Sequence, residues 1–170
     1  MAIAFAQNPR YEMSNGLSVL AARSAVGANN FFLSMSDHMF ESALILGLST
    51  VEIPEHGLVL AVDRKLDRIY DMDDATKVRS KDGRIVAINK RLDEFDAVDT
   101  GLFACSPGLF EAIERASLAR PDRDCSLSDG VKALAADGLA WVYDVGDGMW
   151  QDVDTPGALD HAEKLFGRKK

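Results

Sequence analysis

Several things are scarce in this sequence, and each scarcity excludes something. Among 170 residues there are two cysteines, Cys105 and Cys125. They have neither metal-ligand spacing nor a disulfide framework, so a reducing, cytoplasmic setting is the simple expectation. The three histidines include no second one at ligand spacing from His38, which argues against a zinc-type site. No apolar run approaches the roughly 20 residues that span a bilayer, so no membrane segment is expected. The apolar opening Met1–Ala6 is too short for a signal peptide and lacks a basic leader. Positive charge is also short. With 19 Lys and Arg against 27 Asp and Glu, the formal net charge is −8, which argues against nucleic acid or an anionic membrane as partner. Phosphates must then be met by local lysines and arginines or by a metal ion. There is no internal repeat and no low-complexity linker.

What is present reads as an ordinary globular chain, 47% hydrophobic and 27% charged, with one domain as the default for its length. Short apolar runs alternate with helix-period segments, the α/β pattern. Ile3–Ala6, Phe31–Met35 and Leu58–Val62 are predicted strands, and Phe40–Leu48 reads as a mostly buried helix. In "TKVRSKDGRIVAINK" two short strands flank Asp82-Gly83, a hairpin signal. "VDTGLFACSPGLFEAI" predicts a strand, then a helix with Ser106 as N-cap and Pro107 at its first position. Ser126 with Asp129 three residues later makes a capping box, and Gly138 is a stop signal. "LAWVYDV" is a further strand, and "GMWQDVDTPGALDHAEKLFG" turns from a short strand into a terminal helix capped at Thr155-Pro156. The expected fold class is α/β, a mainly parallel sheet with flanking helices and an inserted β-hairpin.

In open parallel sheets, ligands bind beyond the carboxyl ends of the strands. Asp37, Asp63, Asp99, Asp144 and Asp152 all fall at or near such ends or turns. Carboxylates gathered on one rim repel each other unless a cation joins them, and oxygen ligation of that kind suits Mg²⁺. A lone Asp after a strand is ordinarily a turn or helix cap. In "FFLSMSDHMF", however, Ser36, Asp37 and His38 are three adjacent polar groups, more than one cap requires. His38 reads as a hydrogen-bonding or packing partner, while His56 and His161 read as surface residues. Asp152 and Asp154 share a face if "WQDVDT" is extended; the spacing does not say which would bind a metal and which would cap the helix. Lys90, Arg64 and Lys65 sit where a phosphate could be held, though solvated charge explains any one of them. "DMDDATK" reads as a polar loop, and Trp141 and Trp150 as packing residues.

Taken in order, "NPRYEMSNGLSVLAA", "FFLSMSDHMFE", "DDATKVRSKDGRIVAINKRLDEFDAVDTGLF", "LSDGVKALA" and "MWQDVDT" resemble the sugar-phosphate nucleotidyltransferase family, in particular its inositol-1-phosphate cytidylyltransferase branch. The resemblance implies a GT-A-like, Rossmann-related fold. It implies transfer of a nucleotidyl group from a nucleoside triphosphate, CTP favoured, to a sugar or polyol phosphate such as inositol 1-phosphate, with release of pyrophosphate. Such chemistry needs charge neutralisation and in-line positioning more than a covalent nucleophile. Carried over residue by residue, Asp37 and Asp152 are the catalytic Mg²⁺ ligands. Lys90 contacts the acceptor phosphate, and Asp99, Thr100 and Gly101 line the acceptor pocket. The resemblance is compatible with a homodimer.

One part of the family pattern has no match. The family opens with a strand and a glycine-rich loop that cradles the triphosphate, whereas Gly16 and Gly27 stand isolated here. The expectation is therefore a single nucleotidyltransferase-like domain over 1–170 that carries the C-terminal three quarters of the pattern without its first strands. That raises a second reading, a truncated and catalytically silent remnant or binding module that keeps the acceptor pocket. A third is a glycosyltransferase using Asp152-x-Asp154 as its metal motif.

Overall fold

The computed structural model describes residues 3–167. Six α-helices occur among them: α1 (Gly16–Ala21), α2 (Arg23–Val26), α3 (Ser42–Leu48), α4 (Gly108–Leu118), α5 (Leu127–Ala136) and α6 (Pro156–Phe166). The eight strands are β1 (Phe31–Ser34), β2 (His38–Phe40), β3 (Leu58–Asp63), β4 (Lys77–Lys81), β5 (Arg84–Asn89), β6 (Ala97–Cys105), β7 (Ala140–Asp144) and β8 (Trp150–Asp152). Strands β1-β6-β3-β7-β5-β4 form a six-stranded sheet, and β2 with β8 forms a separate two-stranded ribbon.

The sheet buries both faces. Leu58, Leu60, Val62, Phe103 and Cys105 lie under α4 and α5, with Leu109, Ile113, Leu127 and Val131 facing them. On the opposite face, Leu44 and Leu48 of α3 cover Val59, Ala61, Leu102 and Ala104. Every residue of β3 is buried in consequence, which is why it reads as a continuous apolar run.

Local signals act where the sequence placed them. Asp82 and Gly83 take φ of 51° and 77°, the two positive values that a primed hairpin turn requires. Ser126 and Asp129 form the reciprocal capping box, and Gly138 ends α5 at φ 73°. Thr155 Oγ1 accepts the Ala158 N–H, with Pro156 leading α6.

Three expectations change. The α/β class holds, but the sheet is mixed: β3–β7 is a parallel pair, whereas β1–β6, β3–β6, β4–β5 and β5–β7 are antiparallel. Strands β1, β3 and β7 do run in one direction, yet β6 inserts against them between β1 and β3. Alternation of apolar runs reports strands, not their sense. Because β6 follows a hairpin rather than a crossover helix, it is free to return antiparallel. The second change is Ile3–Ala6, which forms no strand; Ile3 is 72% and Phe5 94% exposed. No strand lies beside it among the described residues, and apolar character without a partner does not make a strand. Met1 and Ala2 of the apolar opening lie outside the described residues. The third is Phe40–Leu48, which is not one mostly buried helix: Phe40 pairs in β2, and α3 starts at Ser42. Only Leu44 and Leu48 of α3 are buried, with Ile45 and Leu46 facing outward because one face of the helix packs on the sheet.

Candidate functional site

The common direction of β1, β3 and β7 sets their carboxyl ends on one rim, with the start of β6 between them. A cavity of about 500 Å³ opens there, at the place where such sheets bind ligands. The chain leaves β1 at Ser34, turns, and enters β2 at His38, placing Asp37 at the cavity. Strand β2 pairs antiparallel with β8 in a register that sets His38 opposite Asp152, and the Val153 N–H donates to the Asp37 carbonyl at 2.8 Å. A stretch 115 residues further along the chain (152 minus 37) is thus brought back beside Asp37.

His38 organises the junction. Its Nδ1 lies 2.7 Å from the Thr100 carbonyl oxygen. A carbonyl only accepts, so Nδ1 carries the hydrogen. Nε2 then turns toward Asp37 Oδ1 at 3.9 Å and Asp152 Oδ2 at 3.7 Å. The ring stacks on Trp150 with centroids 5.7 Å apart. Ligand atoms of Asp37, His38 and Asp152 all lie within 4.8 Å of one another, and so do those of Asp74, Asp152 and Asp154. Asp152 belongs to both groups. Burial pushes its carboxyl above the usual range; His38 opposes this, and Asp154, Asp37 and Asp74 add to it. Its Oδ1 is buried with no hydrogen-bond partner. An orphaned buried oxygen beside three other carboxylates is costly unless a cation or proton meets it, and the mostly oxygen donor set fits a hard divalent ion.

The other predicted site residues divide. Asp99 lines the cavity, and its Oδ1 accepts the Gly101 N–H at 2.7 Å. Burial pushes its carboxyl up to about 6, although that hydrogen bond and His38 both pull it down. Gly101 also lines the cavity; at φ 75° it sits so close to His38 that a Cβ would come within 2.5 Å of Nδ1. Thr100 does not line it. Its side chain is fully buried, with the hydroxyl donating to the Ala61 carbonyl at 2.8 Å, because alternation along β6 points it away from Asp99 and Gly101. Lys90 reaches the cavity with its ammonium on both oxygens of Asp74, at 2.7 and 2.8 Å.

Arg64 and Lys65 are otherwise committed. Arg64 pairs with Asp96 and Asp144; burial works against ionised Asp96, but the Ser80 hydroxyl and N–H together with Arg64 hold its carboxyl below the usual range. Lys65 pairs with Asp63 at 2.9 Å. The sequence also missed residues. His161, read as a surface residue, lines the cavity and stacks on Tyr70 with centroids 4.5 Å apart. "DMDDATK", read as a polar loop, contributes Asp71, Asp74, Ala75 and Thr76 to the wall. No local signal marks either, since α6 and the loop meet only in the fold.

The chain as a whole is similar to known proteins, although no protein-family model matches it. The "Bifunctional IPC transferase and DIPP synthase" of Archaeoglobus fulgidus is 37% identical over 160 residues, covering 94% of this chain and 30% of that protein. The solved inositol-1-phosphate CTP transferase from T. maritima superposes with a TM-score of 0.79 at 28% identity, covering 93% of this chain and 63% of that one. The chain is homologous to these nucleotidyltransferases along nearly its whole length. It also shares its fold with a UDP-glucose pyrophosphorylase complexed with UDP-glucose, which matches at 13% identity with a TM-score of 0.71, over 93% of this chain and 63% of that one. The chain spans about a third of the length of the curated relatives it matches. No helix among its described residues is long and apolar enough to cross a membrane.

Proposed function

We propose that this chain carries the cation- and acceptor-binding part of a nucleotidyltransferase site that moves a CMP group from CTP to inositol 1-phosphate. The observation that carries the reading is the convergence of Asp37 and Asp152 across the β2–β8 ribbon, with Asp152 shared by two acidic groups and its Oδ1 orphaned. Asp37 and Asp152 would hold Mg²⁺, which supplies charge neutralisation for phosphates when bound. In the reaction an oxygen of the acceptor phosphate bonds to the α-phosphorus of CTP, the bond from that phosphorus to the β-phosphate oxygen breaks, and pyrophosphate leaves with the electron pair. Lys90 is the cation for the acceptor phosphate. Its pairing with Asp74 is exposed, 55% and 52% at the two side chains, so exchanging it for a phosphate costs little. Asp99 offers the acceptor a carboxyl that burial has pushed up to about 6, able to donate to a hydroxyl below that pH and to accept from one above it. Relatives named for inositol-1-phosphate and CTP support the choice of substrates.

A second reading, a module that binds the acceptor without turnover, is favoured by β1. Its outer edge has no partner among the described residues and Phe32 is 49% exposed there. Pyrophosphate release on incubation with CTP, Mg²⁺ and inositol 1-phosphate tests the first reading. Calorimetric binding of inositol 1-phosphate with no pyrophosphate release would establish the second in its place, and neither binding nor release would end both.

A further inference from the structure

We propose that Asp63 is a positioning residue for the Asp37–Asp152 pair, acting through Trp150. The inference rests on the reading of those two carboxylates as the cation site. Asp63 ends β3 at the cavity and resembles the ligand acids in type and place, but its side chain is only 4% exposed and both oxygens are committed. Oδ1 accepts the Lys65 backbone N–H at 2.7 Å and pairs with the Lys65 ammonium at 2.9 Å. Oδ2 accepts the Trp150 indole N–H at 2.9 Å. A carboxylate this buried is retained only with such partners, and the partners point to what it does.

Trp150 begins β8, opposite Phe40, two residues before Asp152 and therefore on the same strand face. Its ring stacks on His38, the residue paired with Asp152. The indole is thus held at its nitrogen by the main sheet while its face supports the imidazole between the two carboxylates. Lys65 completes the hold: its ammonium reaches the Gly146 carbonyl at 2.5 Å and the Gly148 carbonyl at 3.4 Å, in the loop that delivers β8. The anchor has a reason. The β2–β8 ribbon has three residues a side and is separate from the six-stranded sheet; a ribbon that short is not stable alone. Tying the first residue of β8 to the end of β3 fixes the carboxylate at its last residue.

The test titrates the full chain with Mn²⁺ alone, followed by the loss of its free-ion electron paramagnetic resonance signal. Trp150→Phe keeps the ring and removes the N–H; Asp63→Asn keeps the shape and removes the charge. Each is expected to weaken Mn²⁺ binding about tenfold, as loss of a group that orients a metal ligand does. The double variant is expected to weaken it no further than the stronger single, because both break one connection. A purely structural role would lower the melting temperature and leave the Mn²⁺ affinity of folded chain unchanged. Wild-type affinity in Trp150→Phe, or additive losses in the double variant, would overturn the inference while the cation site stands. If Asp63→Asn does not fold, Trp150→Phe decides alone. Absence of Mn²⁺ binding by the wild-type chain would overturn the inference and the cation site together.

Discussion

His38 and Asp152 face each other across a three-residue ribbon, with Nε2 3.7 Å from Oδ2 and the opposite ring nitrogen fixed on the Thr100 carbonyl. One imidazole therefore connects the start of β6 to both rim carboxylates. The consequences are open to measurement.

Asp152→Asn separates stability from binding. Burial, helped by Asp154, Asp37 and Asp74, raises the folded carboxyl above its unfolded value. The folded chain then binds more protons than the unfolded one as pH rises through that interval, and stability falls with pH there. The variant removes this deficit, so the metal-free chain should melt at a higher temperature at pH 7.5. Its Mn²⁺ affinity should fall by at least about tenfold, the cost of losing a group that holds or orients the ion. Calorimetric melting alongside the Mn²⁺ titration reads both, and a variant that is less stable and binds normally contradicts the assignment.

Asp99→Asn has a defined pH window. With the folded carboxyl at about 6 against an ordinary 3.8, Asp99 leaves the chain unaffected below pH 3.8 and progressively less stable up to pH 6. Asparagine keeps the acceptor for the Gly101 N–H and cannot ionise. The variant should gain about 3 kcal/mol at pH 7.5 and almost nothing at pH 4. Urea unfolding at the two pH values measures the difference, and an equal gain at both contradicts the cause.

Gly101→Ala should cost about 3 kcal/mol, since it combines a left-handed backbone with a Cβ driven into a fixed ring. The added carbon meets His38 Nδ1 at 2.5 Å and Cε1 at 2.7 Å, so the imidazole must leave the Thr100 carbonyl. Urea unfolding should show the loss, and histidine chemical shifts in the surviving folded fraction should show the displaced ring. Unchanged shifts would mean that the backbone, not His38, takes up the clash.

Lys90→Gln should leave unfolding within about 0.5 kcal/mol of wild type, because the pair with Asp74 is solvent-exposed. Affinity for inositol 1-phosphate, by calorimetry, should fall about tenfold as a charge-assisted contact is lost. Full affinity in the variant would remove Lys90 from the acceptor site.

Some of this was legible along the chain because its causes are local. Asp82-Gly83 specifies its turn by backbone freedom, Ser126 and Asp129 satisfy N–H groups within one turn of helix, and the run Leu58–Val62 has no polar residue to offer to solvent. The strand-end position of Asp37 follows in the same way from where an apolar run stops. Pairing it with Asp152 came from a resemblance, since nothing in residues 31–40 states what returns beside them 115 positions later (152 minus 37). Only the tertiary structure decided which acids are free and which are spent. Asp63 and Asp152 look alike in sequence, each closing a short strand. Burial gives Asp63 an ammonium and an indole N–H, while Asp152 is left with an unpartnered oxygen among three carboxylates. The sense of β6 and the turning away of Thr100 were decided there too. Hydrogen-bond satisfaction in a buried place depends on groups far apart in the chain, and their meeting is a property of the packed fold.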